Sequence, residues 1–172
     1  MENTRPGRFQ KPDHFLTLAT ASPVRALADI IDTYTLDDLR QELTLWQELA
    51  LCNDDSAYAE APARENLLAF LQAFQRTIEA LYTTRLKKIK YQSPARAALN
   101  IPTLLTLQEQ AQPMQVIRQF AETFSLSYTQ AELLDLLDAV ISYRGKKKIQ
   151  LGSVVFFYQR LCLLGSLVYQ MV

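Results

Sequence analysis

The sequence predicts an all-α fold: a single domain, folded as a helical bundle of five to seven helices with a very apolar C-terminal helix at its centre. Three observations predict it. Apolar residues recur at three- and four-residue spacing through most of the chain, capping and proline signals cut that pattern into helix-sized pieces, and no stretch alternates apolar and polar residues long enough to demand a strand. Val154 to Tyr158, taken alone, is the one segment that also suits a strand. The scale fits one domain over residues 1–172, since 172 residues, 49% of them hydrophobic, can bury about two thirds of their unfolded surface in a single core. Only 4 Gly and 7 Pro are present and no Gly/Ser-rich or Pro-rich run divides the chain, so no linker is visible.

Residues 1–14 are polar, carry Pro6, Gly7 and Pro12, and read as an irregular arm. Ala19-Thr20-Ala21 has the form of a cleavage site. The apolar stretch before it is only Phe15 to Leu18, interrupted by Thr17, well short of the roughly 7–15 residues of an export segment. Ser22-Pro23 then offers an N-cap with proline at the first helical position, and Val24, Leu27, Ile30 and Ile31 form one face. Thr35-Leu36-Asp37-Asp38 has the form of a capping box with Asp in place of Glu. It leads into Leu36, Leu39, Leu43, Trp46 and Ala50, a helix ending near Asn53.

Asp54, Asp55 and Ser56 supply the next cap. Leu67, Phe70, Leu71, Phe74, Ile78, Leu81 and Tyr82 make the cleanest stripe in the protein, predicting a helix that is kinked near Pro62 and runs to about Lys90. Ser93-Pro94 and Asn100-Ile101-Pro102 break the pattern. Leu104 to Gln110 suits a short helix of its own, and Pro113 opens another through Val116, Ile117, Phe120 and Phe124. Thr129-Gln130-Ala131-Glu132 has the capping-box spacing ahead of Leu133, Leu134, Leu136, Leu137, Val140 and Ile141, and Gly145 is placed to stop that helix in the left-handed conformation.

The final segment, LGSVVFFYQRLCLLGSLVYQMV from Leu151 to Val172, is apolar enough to raise a membrane anchor as an alternative. Arg160 stands at its middle. An arginine there costs about 2.5–3.5 kcal/mol on insertion, while each favourable side chain returns only about 0.3–0.6 kcal/mol, so insertion is marginal. Gln159, Cys162, Ser166 and Tyr169, with Gln170 beside the last, fall within a three-to-four-residue recurrence and give the helix one more polar edge. That edge favours a buried bundle helix over an anchor or a dimer-forming helix.

The chemistry of the sequence is mostly exclusion. One histidine, His14, leaves no His-based metal cluster, and Cys52 and Cys162 lack metal spacing and a neighbouring His, so they read as reduced, buried thiols. Gly7, Gly145, Gly152 and Gly165 are scattered outside any phosphate-binding string. Two carboxylate groups remain, Glu132, Asp135 and Asp138 at three-residue spacing and Asp54, Asp55 and Glu60 at a helix start. Carboxylates so spaced can hold Mg²⁺, but a solvated face or a helix dipole explains both sets better. No cofactor, no metal and no catalytic constellation is expected.

Charge is distributed unevenly beneath a net value of zero. From Asp29 to Glu65 there are ten acids against Arg40 and Arg64, a balance of −8. No acid follows Asp138, where Arg144, Lys146, Lys147, Lys148 and Arg160 give +5. None lies between Glu79 and Glu109, where Arg85, Lys87, Lys88, Lys90 and Arg96 give another +5. If the helices run up and down, RLKKIKYQ and YRGKKKIQ meet at one end of the bundle. Arg85, Lys87, Lys88, Lys90, Arg144, Lys146, Lys147 and Lys148 would then form a surface for an acidic protein partner or for phosphates. A helix-turn-helix over Phe124 to Arg160 fails, because its second helix, starting KKKIQLGSVVFFYQ, is too apolar for a groove.

Asn53 to Tyr82, NDDSAYAEAPARENLLAFLQAFQRTIEALY, resembles a pattern in uncharacterised small helical proteins of Bacteroidota-type bacteria. The resemblance implies a helical fold and transfers no catalytic residue. The sequence as a whole predicts a soluble, cytoplasmic, non-enzymatic protein acting through protein contacts or self-association. Its rivals are a nucleic-acid-binding or regulatory protein using the basic end, and a protein anchored by its C-terminal helix.

Overall fold

The computed structural model describes residues 23–89 and 104–172, and every regular element among them is a helix. There are seven: α1 Pro23–Thr33, α2 Leu36–Leu51, α3 Ala61–Ile89, α4 Leu107–Ala111, α5 Pro113–Thr123, α6 Leu126–Ser142 and α7 Leu151–Met171. Val154 to Tyr158, the strand-compatible segment, lies inside α7. The Ser22 cap, the N-terminal arm, His14 and Lys90 fall outside the described residues.

α2 begins as its sequence predicts. The Thr35 hydroxyl accepts from the Asp38 N–H at 3.1 Å while the Asp38 carboxylate accepts from the Thr35 N–H at 3.0 Å, a reciprocal box. Thr106 and Glu109 build a second such box ahead of α4. Leu39, Leu43, Trp46 and Leu49 are buried on one side of α2, and α2 packs on α3, which runs back antiparallel. α3 starts at Ala61, so Pro62 occupies its first turn, where the missing N–H costs no hydrogen bond and no kink forms. Residues 52–60 are a chain of turns held by Ser56 Oγ on the Asn53 carbonyl at 2.7 Å.

The centre of the core is aromatic. Phe70 and Phe74 on α3 stack on each other at 5.6 Å and meet Phe120 and Phe124, which α5 delivers by running antiparallel to α3. Edge-to-face and offset contacts of this kind add about 0.5–1.5 kcal/mol per pair to area burial. α7 then closes the bundle. It packs on α1, α5 and α6, sets Phe157 edge-on to Trp46 of α2 at 5.1 Å, and buries Val154, Leu161, Leu163, Leu164, Leu167 and Val168 as well.

Two helix-end expectations are corrected. α6 starts three residues before the expected box, capped by Ser125 Oγ accepting from the Tyr128 N–H at 3.1 Å, and Thr129 is buried within it. The Thr129 hydroxyl meets the Tyr169 hydroxyl of α7 at 2.7 Å, and the Glu132 carboxylate accepts from Tyr58 at 3.1 Å, so both groups serve tertiary contacts in place of the cap. Gly145 is not left-handed. At the C-terminal end of α6 the Asn53 side chain donates to the Ala139 carbonyl at 2.8 Å and to Ser142 Oγ at 2.9 Å, satisfying a helix-end acceptor from 86 residues away. A β-carbon at Gly145 would meet the Tyr143 phenol, the far end of a flexible side chain that would have to swing aside.

Candidate functional site

The direction of α6 decides where the charged residues go. α5 covers α3 from the region of Thr84 back to Phe70, where Phe124 and Tyr128 meet that ring. α6 continues away from the C-terminal end of α3 and runs beside α2 to the 52–60 turns, guided by Tyr58 on Glu132 and Asn53 on Ala139. The tip between α6 and α7 therefore sits at the C-terminal end of α2, where Lys147 pairs with Glu48.

The end of α3, carrying Arg85, Lys87 and Lys88, is at the opposite end, beyond Glu79 and its partner Arg40 near the start of α2. Eight residues of α2 separate Arg40 from Glu48, and six of α3 separate Glu79 from Arg85, which together span about 20 Å at 1.5 Å per residue. Among the described residues, the α3 positions of Arg85, Lys87 and Lys88 are therefore placed away from the α6–α7 tip and do not share one end of the bundle with it. Arg144, Lys146, Lys147 and Lys148 form an exposed cationic tip by themselves. Glu48, Asp54, Asp55 and Asp138 belong to the neighbouring helix ends and turns, and the Glu48 carboxylate holds the Lys147 ammonium above its ordinary pKa by its hydrogen bond.

Other candidate chemistry is dispersed. Among the described residues no three of His, Cys, Asp and Glu are grouped to hold a metal ion; Glu132 turns to Tyr58 and Tyr128 while Asp135 and Asp138 face solvent. Burial pushes the Glu132 carboxyl up and, with the Glu132 charge, pushes the Tyr58 phenol up as well. Cys52 and Cys162 are free thiols; Cys52 is exposed, contrary to the expected buried pair, and burial raises the Cys162 thiol. An open groove of about 460 Å³ between the end of α3 and the start of α5 is lined by Thr84, Gln112, Gln115 and Arg118 among apolar neighbours, with no acid, histidine or cysteine among the described residues of its lining.

α7 meets the length and composition of a membrane span over Gly152–Met171, and 44% of its most apolar window is buried against the protein. Its polar edge is where the spacing put it: Gln159, Cys162, Ser166 and Tyr169 are half-buried and Gln170 is exposed. The Arg160 guanidinium lies 4.8 Å from the centre of the Tyr34 ring at the end of α1, a cation–π placement.

One feature of the surface escaped the sequence reading. Leu134 is 54% exposed, Ile141 40%, Val155 47% and Phe156 51%, all on the α6–α7 hairpin whose tip carries the cations. The signal was present as spacing. Leu126, Gln130, Leu134, Leu137 and Ile141 recur at four, four, three and four residues, a second stripe beside the buried one of Thr129, Leu133, Leu136 and Val140. Compared with protein-family models, curated proteins and solved structures, the chain shows no match.

Proposed function

We propose that the protein acts without catalysis, through protein–protein contacts on the outward side of the α6–α7 hairpin and at its cationic tip, as a soluble cytoplasmic protein. The observation that carries this reading is the exposure of Leu134 and Ile141 on α6 and of Val155 on α7, on one side of one helical hairpin, with exposed Phe156 about a quarter-turn further round α7. Large apolar side chains gathered on one surface, rather than scattered singly, mark interaction sites. Unpaired Cys52 and Cys162 agree with a reducing compartment.

Nucleic acid is the weaker reading. The tip has four cations, one tied to Glu48, and acids stand on the helix ends around it, which reduces the field that phosphates would feel. A photo-crosslinking residue placed at position 134 or 155 in the full chain tests the reading in cells. Protein adducts at these positions, and none at exposed Gln119 on α5, are expected; equal yields at all three positions would count against it. If instead the purified protein binds duplex DNA or RNA with an affinity that falls linearly with log salt and is lost in Lys146→Glu/Lys148→Glu, the nucleic-acid reading replaces it.

A further inference from the structure

The outward side of the hairpin is continuous across both helices. On α6, Thr129 and Leu133 face Gly165 and Tyr169 of α7, while Glu132 and Ala139 face the α2–α3 turns. At about 100° per residue, Leu126, Leu137, Gln130, Ile141 and Leu134 follow in that order past the α7 side. On α7, Phe157 faces Trp46 and Arg160 faces Tyr34, so Cys162, Val155, Ser166 and Gln159 lie outward on the side next to α6. Since the helices are antiparallel, both arcs open on the same side of the seam, opposite α2.

Three properties of this face identify its occupant. No residue in either arc is charged, so the face neither attracts nor repels by sign. Its two halves differ in relief, with four large aliphatic side chains along α6 and the smaller Cys162 and Ser166 along α7. A two-fold rotation lays the ridge of one copy against the shallow strip of the other, the self-complementarity that an isologous contact requires. Its size also suits: helices of 17 and 21 residues side by side span roughly 30 Å by 20 Å, on the scale of the roughly 800 Å² that each partner gives to a stable interface. An anionic lipid surface fits less well, because Asp135 and Asp138 lie exposed along the far edge of α6.

We infer that this face binds a second copy of the chain, the α6–α7 hairpins of two protomers packing as a four-helix layer about a two-fold axis. The inference rests on the protein-contact reading and names its partner. Sedimentation velocity and light scattering of the full chain over a range of concentrations test it. The expected mass is about twice 19.7 kDa, with Leu134→Asp and Val155→Asp each weakening self-association by about a hundredfold. Both variants should keep the wild-type far-UV circular dichroism and unfold cooperatively, since both positions are half-exposed, with a melting temperature lowered only by the lost association, and Lys146→Glu/Lys148→Glu should leave the dimer intact. A wild type that is monomeric throughout, or a dimer indifferent to both apolar substitutions, overturns the inference. If a monomeric wild type still yields heterologous adducts from position 134 in cells, the second copy is wrong and the contact reading stands. A monomer with no adducts removes both.

Discussion

Single residues carry several of the long-range decisions in this fold. Glu79 is buried, with its side chain only 5% exposed, and accepts from Arg40 at 2.8 Å and from the Leu104 N–H at 2.9 Å, joining α2, α3 and the approach to α4. Withdrawing the guanidinium removes a charge-assisted hydrogen bond from a buried carboxylate, so Arg40→Leu should lower stability by about 1.5–3 kcal/mol in urea unfolding. Glu132 behaves oppositely to Asp38. Its raised pKa means that the folded protein holds the proton more tightly than the unfolded chain. The stability from this residue is therefore present below the ordinary carboxylate range and lost as pH rises through the raised value. Glu132→Gln keeps an acceptor for Tyr58 and has no charge to desolvate; it should equal or exceed the wild type at neutral pH and flatten the pH dependence just above the ordinary carboxylate range. The Asp38 carboxyl is held low by its hydrogen bonds from Thr35, so its contribution is present above the ordinary range and is lost as pH falls through the lowered value.

At the scale of elements, spacing identified the helices and local chemistry identified some of their ends. The Thr35–Asp38 box was legible because both partners lie within one turn. The end of α6 was not, since its acceptor is met by Asn53 from another element, a partner that no window of sequence around Ser142 contains. The same limit applies to α6 itself: it carries two apolar stripes, and sequence spacing cannot say which one the rest of the chain covers. Gly165 gives a direct test of helix packing. A β-carbon there would stand 3.4 Å from Thr129 Cγ2 and 3.6 Å from Leu133 Cδ1, within ordinary contact. Gly165→Ala should therefore be accepted and raise stability by about 0.5–1 kcal/mol through helix propensity, whereas Gly165→Leu would collide with α6 and lower the melting temperature.

For the molecule as a whole, α7 is structural. It buries Val154, Phe157, Leu161, Leu163, Leu164, Leu167 and Val168. At about 1.5–3 kcal/mol for each such side chain, their burial matches or exceeds the roughly 5–15 kcal/mol by which a domain is stable. Removing residues after Lys148 should abolish cooperative thermal unfolding by circular dichroism. A truncated chain that melted like the full protein would show that α7 is dispensable to the fold, as an appended anchor would be. The candidate interaction surface also belongs to this scale. Arg144 to Lys148 were recognisable as a basic cluster, but their pairing with Arg85, Lys87 and Lys88 assumed that α6 returns along α3.

The sequence by itself determined that the protein is helical, where most helices lie, and which edge of α7 is polar, because periodicity and capping are properties of residues within a few positions of one another. Only the tertiary structure decided the direction of α6, the separation of the basic clusters, the ending of α6 at Asn53, and which stripe of α6 remained open. The physical reason is that these outcomes follow from contacts between residues far apart in sequence, such as Asn53 with Ala139, Tyr58 with Glu132 and Lys147 with Glu48. Such pairings emerge only when the helices compete to bury their apolar faces against one another.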